Sequence, residues 1–183
     1  MSWDSTLKSE DTKHKVFISY YHKDDEDYRD KFEELFGHLF INKSVHPGDI
    51  DDDDSDEYIK QLIREKYITD ASVTIILVGP KTYCRKHVDW EIYATLDKKA
   101  DGYSGLLGLC LPTHPNYKED NYTSSIIPSR LVYNLKSKYA GLYDWTKNEE
   151  NIKKWVEKAF NSRIDDKDKI INSLKQFKDD RCD

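Results

Sequence analysis

The chain has 183 residues, of which 35% are charged and 37% are hydrophobic, and its formal net charge at pH 7 is −6. This length suits one domain of ordinary size, which buries enough surface to fold without disulfide bonds. Basic residues are dispersed among acidic ones, so the sequence excludes the basic stripe typical of nucleic-acid binding. Apolar residues occur in separate blocks, which excludes a disordered chain.

Three features of the sequence bear on the cellular compartment. Residues 1–12 form a polar tail without the apolar core of a signal peptide. No apolar run approaches the roughly 18 residues that a membrane span needs. The cysteines form no CxxC pair and are odd in number, which is typical of reduced thiols: Cys84, Cys110 and Cys182. The sequence therefore predicts a cytoplasmic protein that does not bind membranes.

The first predicted elements are a buried strand and an amphipathic helix. Residues 16–21 are mostly β-branched or aromatic, as expected of a short buried strand. The helix that follows has Asp24 as its predicted N-cap. Its apolar side chains recur at the spacing of one helix face: Tyr28, Phe32, Leu35 and Phe36.

The region around the acidic run at residues 49–57 predicts a short strand and a second helix. Residues 44–46 form the predicted second strand, and a Pro-Gly pair turns the chain after it. Asp54 or Ser55 caps the helix that follows. The apolar face of this helix consists of Ile59, Leu62 and Ile63.

The middle of the chain contains the clearest strand, at residues 73–78, which a Gly-Pro pair terminates. The next predicted helix carries Trp90 and Glu91 side by side. A strand rich in small residues is predicted at 105–111. It leads into a long loop with three prolines at residues 112–129.

The last third of the chain predicts one strand and two helices. Residues 131–135 are a fragment of strand or loop, and residues 139–145 are the last strand. A strong helix follows, with apolar residues at helical spacing over 152–160. A final helix is predicted to hold Ile170, Ile171, Leu174 and Phe177.

Strands and helices alternate about five times along the chain. This alternation predicts an α/β fold with a flavodoxin-like, doubly wound, mostly parallel sheet in a single domain. The domain covers residues 13–162, and residues 163–183 form a C-terminal helical extension. Ligands bind such sheets at the carboxyl ends of the strands where strand order reverses, which here lies between the first and third strands. Residues 19–24 and 79–86 connect to helices at that point.

Glu91 is the candidate catalytic group, because it lies one to two turns into the helix that starts at this crevice. A glutamate beside an indole loses hydration, which raises its pKa and suits acid–base chemistry. A carboxylate there can also bind ribose hydroxyls and offset positive charge on a sugar ring. The alternative interpretation is a surface glutamate next to a core tryptophan, and spacing alone does not separate the two.

The acidic run raises the question of a metal site. The EF-hand pattern fails, because position six counted from Asp49 is Asp54 and position twelve is Lys60. The six histidines also lack metal-ligand spacing. The sequence therefore predicts no metal ion, and it places Asp49 alone near the crevice if the second strand ends there.

Several other chemistries lack their motifs. Ser19, His22 and Asp24 share one short loop without a GxSxG turn, so a catalytic triad is not predicted. Neither GxGxxG nor GxxxxGK[ST] occurs. A phosphorelay receiver needs paired acids after the first strand and an aspartate ending the third. The chain has Ser19-Tyr20 and Val78-Gly79 at those places.

Four segments resemble the bacterial TIR-like family, in particular the TIR-like proteins of Thoeris antiphage defence, the ThsB type. They are KVFISYYHKDD, YIKQLIREKYITDASVTIILVGPKT, RKHVDWEI and YAGLYDW. FISY alone is weakly specific, whereas HVDWEI directly after a VTIILVGP strand is much more so. The resemblance extends from about Lys13 to about Phe160, which is most of the chain.

This resemblance implies a TIR sheet and cleavage of NAD at the nicotinamide–ribose bond, with Glu91 at the position of the family's catalytic glutamate. NAD is then the substrate, and no cofactor is implied. In the Thoeris type the product is a cyclic ADP-ribose isomer, a diffusible signal that activates a partner effector. A phage-derived activator and self-association through the second-strand region are further implied partners.

The other site residues are predicted from position near the crevice. Tyr20, Tyr21 and Trp90 are expected to stack on nicotinamide or adenine, and Ser19 to bind a ribose or the amide. Nearby cations would offset the net negative charge of the chain: Lys23, Lys81, Arg85 and Lys86. Residues 112–129 are expected to help to sense the activator, and the alternative is a tolerated surface insertion.

A non-catalytic TIR-like module, which binds or senses other proteins, is the alternative function. Both functions share one fold, and Glu91 distinguishes them. Alanine or asparagine at this position would favour the module, whereas the acid that is present favours the enzyme.

Overall fold

The computed structural model describes residues 12–44 and 54–182. In these ranges, five strands form one parallel sheet in the order β2-β1-β3-β4-β5. The strands are β1 Lys15–Ser19, β2 Ile41–Asn42, β3 Val73–Val78, β4 Gly105–Cys110 and β5 Gly141–Asp144. This order confirms the predicted flavodoxin-like sheet, with reversal between β1 and β3.

Helices cover both faces of the sheet. They are α1 His22–Phe36, α2 Asp56–Leu62, α3 Lys86–Leu96, α4 Ser129–Lys136 and α5 Glu149–Asp165. The helix α2 continues as a π-helical segment, Ile63–Ile68, and short 3₁₀ turns lie at Thr82–Cys84, Ser124–Ile126 and Lys167–Lys169. Across the described ranges, no helix has both the length and the apolar composition that a membrane crossing requires.

Alternating side chains of the central strands divide the core between two faces. On the α1/α5 face, Ile75 and Leu77 pack with Phe32 of α1 and Val156 of α5. On the α3/α4 face, Ile76 and Val78 pack with side chains of α3 and α4. Because β3 is buried on both faces, its continuous apolar run VTIILV is what a central parallel strand requires.

Three predictions for elements before residue 137 require correction. The second strand is Ile41–Asn42, ahead of the predicted residues 44–46, of which 45 and 46 lie outside the described residues. The first helix begins at His22, so Asp24 lies in its first turn instead of at the N-cap. Residues 131–135 are helical, because their apolar positions fit α4 packed on the sheet.

The predicted C-terminal helix is wrong, because residues 170–182 contain no helix. They form an extended segment, the C-terminal strap, which crosses α3 and α4. Its backbone groups bond to side chains of those helices. Phe177 N–H donates to Asp89 (2.9 Å), and Phe177 O accepts from the indole N–H of Trp90 (2.8 Å). Leu174 O accepts from the guanidinium of Arg130 (3.1 Å). Side-chain partners thus replace the internal hydrogen bonds of a helix.

The end of the strap is joined covalently to the segment before α3. Cys182 forms a disulfide with Cys84, and their Cα atoms are 5.5 Å apart. The expectation of reduced thiols is therefore wrong for this pair, because folding brings together residues that lie 98 positions apart in sequence. Cys110 is free and buried.

Candidate functional site

The crevice forms where β1 and β3 end side by side. Ser19 pairs in register with Ile76, so both strands end at the same edge of the sheet. The chain leaves β1 toward the α1/α5 face and leaves β3 toward the α3/α4 face, and the predicted crevice corresponds to the place between these two connections. Glu91 of α3 lies beside this place and accepts a hydrogen bond from Ser19 at the end of β1.

Glu91 lies in the second turn of α3 and is only 4% exposed. The Ser19 hydroxyl, at the end of β1, donates a short hydrogen bond to Glu91 Oε2. One turn further along the helix, the Thr95 hydroxyl bonds to Glu91 O and to the Thr74 hydroxyl on β3 (both 2.8 Å). These contacts hold the α3 backbone against the sheet and aim the Glu91 carboxyl at the end of β1.

Burial raises the pKa of Glu91 to about 8, and the hydrogen bond from Ser19 opposes this rise. Desolvation destabilises the charged carboxylate, whereas a donated hydrogen bond stabilises it. At pH 7 the carboxyl of the ligand-free protein is therefore mainly protonated. A positive charge placed near this carboxyl would lower its pKa and favour loss of the proton.

Trp90 is not available for stacking in this structure, which corrects its predicted role. Its side chain is 1% exposed, and its indole N–H donates to Phe177 O. The ammonium groups of Lys60 and Lys86 lie 4.7 and 5.2 Å from its ring. A helix turns about 100° per residue, so adjacent side chains point in different directions, and Trp90 points into the core beside α2.

Of the two predicted tyrosines, Tyr21 is the more accessible. Tyr20 is 3% exposed, and one of its ring faces is stacked on His22 with centroids 4.2 Å apart. Tyr21 is partly exposed at the crevice rim, where the guanidinium of Arg85 lies 3.8 Å from its ring centroid. Tyr21 therefore offers the better aromatic surface for a ligand.

The predicted cations near the crevice divide into paired and exposed groups. Arg85 forms an ion pair with Asp180 of the strap (3.0 Å), and Lys86 with Asp56 (3.0 Å). Lys23 and Lys81 are exposed on the two connections that border the crevice. The predicted binding residue Asp49 lies outside the described residues.

A second buried acid, Asp25, was not predicted. It is 1% exposed, and burial raises its pKa to about 6. Its carboxyl lies so close to Gly79 that a Cβ there would approach it to 2.2 Å. Asp25 lies four and seven positions before Arg29 and Phe32, on the buried face of α1, so helical spacing could have indicated its burial.

The ion pair between Asp89 and Arg130 was also missed. Arg130 Nε lies 3.0 Å from Asp89 Oδ1, and both side chains are buried. Arg130 also donates to Asn172 Oδ1 (2.9 Å) in the strap. The only signal in the sequence was a single arginine among the apolar residues of α4. This pair fixes α3 to α4 and to the strap, and so positions the helix that carries Glu91.

The described residues contain no cluster of three or more His, Cys, Asp or Glu side chains that could hold a metal ion. Of the acidic run, Ser55 caps α2 by accepting from Tyr58 N–H (3.3 Å), as predicted. Asp56 is held by Lys86. The groups that the structure places beside the crevice are thus a buried carboxyl, a hydroxyl, an aromatic ring and cations.

Comparisons with known proteins add a family to this geometry. The family model for the TIR-like domain of the Thoeris protein ThsB matches residues 17–116. The TIR domains of the activated Roq1 resistosome, solved in recognition of the pathogen effector XopQ, align with a TM-score of 0.41 and 10% identity. That alignment covers 82% of this chain and 83% of the other. No curated protein matches the chain.

Proposed function

We propose that this chain, which belongs to the TIR-like domain family of the Thoeris protein ThsB, cleaves NAD at the nicotinamide–ribose bond and forms a cyclic ADP-ribose isomer. One observation carries the proposal. Glu91 is a buried carboxyl at the carboxyl edge of β1 and β3, with its pKa raised to about 8 and a hydroxyl donor on Oε2. Such a group suits a cationic substrate with a ribose beside the reacting bond.

Substrate binding would convert Glu91 to its reactive form. The nicotinamide ring of NAD is cationic, and a positive charge within about 4–6 Å lowers the pKa of a carboxyl. Glu91 then loses its proton and accepts hydrogen bonds from the ribose hydroxyls. Tyr21 supplies an aromatic surface for the nicotinamide ring, and Ser19 keeps the carboxylate oriented.

Bond cleavage follows from charge. The bond between ribose C1′ and the ring nitrogen breaks, and its electron pair goes to nitrogen, so nicotinamide leaves as a neutral molecule. The ribose becomes an oxocarbenium-like cation, as in glycoside hydrolysis. A carboxylate held in a dry site stabilises that cation far more than it would in water. The Glu91 carboxylate provides this stabilisation.

The product depends on which nucleophile reaches C1′. A hydroxyl of the same molecule attacks C1′ and releases its proton, which closes a ring, whereas water would give linear ADP-ribose. Exclusion of water and placement of the hydroxyl favour closure. The low exposure of Glu91, 4%, is consistent with a site that keeps water out.

The remaining parts of the proposal concern partners and place. The cyclic product would diffuse to a partner effector in the cytoplasm and activate it. A phage-derived activator would be the trigger of this activity. Self-association of TIR-like domains is part of the same proposal.

The experiment is an NAD assay of the full chain, with and without lysate from phage-infected cells. Nicotinamide and ADP-ribose species are separated by chromatography and identified by mass spectrometry. Glu91→Gln should reduce nicotinamide release by roughly 10²–10³-fold or more, since it removes the charge at the reacting centre. Glu65→Gln is the matched control, because Glu65 is exposed on a neighbouring helical segment.

Equal turnover in Glu91→Gln and the unmodified chain would contradict the catalytic role. Absence of turnover in every arm, with folded protein and intact NAD, would favour the interaction module. Linear ADP-ribose as the sole product would keep the cleavage step and remove the cyclisation.

A further inference from the structure

A second cleft of about 550 Å³ lies at the same edge of the sheet, beyond β4 and β5. Its walls come from α1, from the loop after β4 and from the chain after β5. The side chains that define this lysine–aromatic cleft are Lys31, Lys118, Lys147, Tyr28, Tyr117 and Trp145. Small-molecule sites typically have volumes of about 300–1,000 Å³, so the cleft has room for a nucleotide.

The charge of this cleft is opposite to that of the chain as a whole. No carboxylate lines it, although the chain has 35 acidic and 29 basic residues. Within the described ranges, none of its three lysines forms an ion pair. By contrast, the cleft beside Cys110 is lined by Glu119 and Asp120. Three unpaired ammonium groups around one concave surface favour an anion.

The aromatic rings indicate what the anion is attached to. Lys31 Nζ lies 4.8 Å from the Tyr28 ring centroid, and Lys118 Nζ lies 5.4 Å from that of Tyr117. Trp145 also lines the cleft and meets Tyr28 edge-on, with ring centroids 5.2 Å apart. A flat base could take the place of an ammonium over a tyrosine face, and the displaced lysine could then reach a phosphate.

Local hydrogen bonds hold the backbone at Lys118 in place. Lys118 has φ of 61°, in the left-handed region that glycine or asparagine normally occupies. Its N–H donates to Asp144 Oδ1 at 3.1 Å, and the Tyr117 hydroxyl donates to Trp145 O at 3.4 Å. These two hydrogen bonds tie residues 117 and 118 to the end of β5 and to the residue after it, and so fix the position of the Lys118 backbone beside the cleft.

We propose that the lysine–aromatic cleft binds a nucleoside diphosphate. The base stacks on Tyr117, and the two phosphates lie between Lys118 and Lys147. The site is separate from the Glu91 crevice, because Tyr28 and Trp145 belong to the α1/α5 face and Glu91 to the α3/α4 face. The chain would thus hold one nucleotide without cleaving it, at a distinct place from its reacting substrate.

Calorimetric titration of the full chain with ADP, pyrophosphate and adenosine tests the site. ADP has no nicotinamide–ribose bond, so its binding is measured whether or not the chain cleaves NAD. Lys118→Gln/Lys147→Gln should weaken ADP binding by at least about tenfold, because it removes two charge-assisted contacts. Tyr117→Leu should weaken ADP binding by a similar factor and leave pyrophosphate binding unchanged.

Lys153→Gln/Lys154→Gln is the control, because these lysines line a different cleft beside His14. It removes the same charge and should leave ADP binding within about twofold of the unmodified chain. The proposal would be overturned by a lack of saturable ADP binding, by ADP binding that survives the change at Lys118 and Lys147, or by pyrophosphate binding as tight as that of ADP. Loss of ADP binding in Tyr21→Leu alone would place ADP in the Glu91 crevice and also overturn it.

Discussion

Two carboxyl groups on α3 have the same exposure and opposite surroundings. Asp89 and Glu91 are each 4% exposed and lie two positions apart on one helix. Asp89 faces α4 and the C-terminal strap, where it meets the guanidinium of Arg130 and the N–H of Phe177. Glu91 faces the sheet, where its described side-chain partner is the Ser19 hydroxyl. The first is a compensated charge, and the second is a desolvated acid.

The difference shows how one helix combines anchoring with reactivity. A buried charge with an opposite charge and a donated N–H can stay ionised, and so it fixes the helix in place. A buried acid whose partner is a single hydroxyl keeps its proton. Burial of such a group lowers the stability of the protein, and this loss accompanies a reactive site. The Asp89–Arg130 pair is thus the anchor of α3. It holds the helix in place while Glu91 remains poorly solvated.

Removal of the anchor should have the largest effect on stability. Arg130→Ala leaves Asp89 buried without its counter-charge and cuts the strap contacts at Asn172 and Leu174. We expect a loss of roughly 3–5 kcal/mol in the free energy of unfolding, measured by urea denaturation.

Lys136→Ala is the control for this change, because Lys136 is exposed in the last turn of the same helix. It should cost less than about 0.5 kcal/mol. A double-mutant cycle with Asp89→Asn separates the pair from the rest of the network. If the costs of Asp89→Asn and Arg130→Ala simply add, the two side chains are not coupled and the anchor is misassigned.

Glu91→Gln should raise the free energy of unfolding, whereas Arg130→Ala lowers it. The pKa of Glu91 is about 8 in the folded protein and near 4.5 when solvated. Between those pH values the unfolded chain gives up a proton that the folded protein keeps, so the stability of the unmodified chain falls as pH rises. Glutamine keeps the shape and does not ionise.

The increase in the free energy of unfolding from Glu91→Gln should therefore grow from near zero at pH 4 to roughly 3 kcal/mol at pH 7, and level off above pH 8. Urea midpoints of both proteins across this pH range measure it. Glu65→Gln, at an exposed site, should show no such trend. A constant difference between Glu91→Gln and the unmodified chain at all pH values would mean that Glu91 is ionised in the folded protein.

The sequence predicted the surroundings of Glu91 at the sheet better than the surroundings of Asp89 at the C-terminal strap. Strand alternation placed β1 and β3 together, and the rule for open α/β sheets then placed Glu91 at the crevice. The contacts of Ser19 and Tyr21 at this edge follow from the same local connections. These features depend on short connections and on periodicity, which a single sequence displays.

The strap could not be predicted in the same way. Ile170, Ile171, Leu174 and Phe177 have helical spacing, yet they lie in an extended segment that bonds to α3 and α4. Partners such as Asp89 and Phe177 are 88 positions apart, and nothing in the local pattern links them. Tertiary hydrogen bonds overrode local propensity here. The burial of Trp90 has the same cause, because its indole N–H is satisfied by the strap.

The smallest predicted effect sharpens the comparison at Glu91 itself. The value of kcat/KM for NAD should rise with pH through about 8 and level off above it, because the ionised carboxylate is the proposed reactive form. Ser19→Ala removes the hydrogen bond that favours the ionised form, so the pKa of Glu91 rises further and the rising limb moves to higher pH. A hydrogen bond to a charged group corresponds to a shift of roughly one pH unit.

Ser72→Ala, which removes a hydroxyl bonded to Lys15 O at the amino end of the sheet, should leave the rising limb of the pH profile in place. A limb that stays in place in Ser19→Ala while turnover falls would show that Ser19 acts on substrate binding and not on the protonation of Glu91.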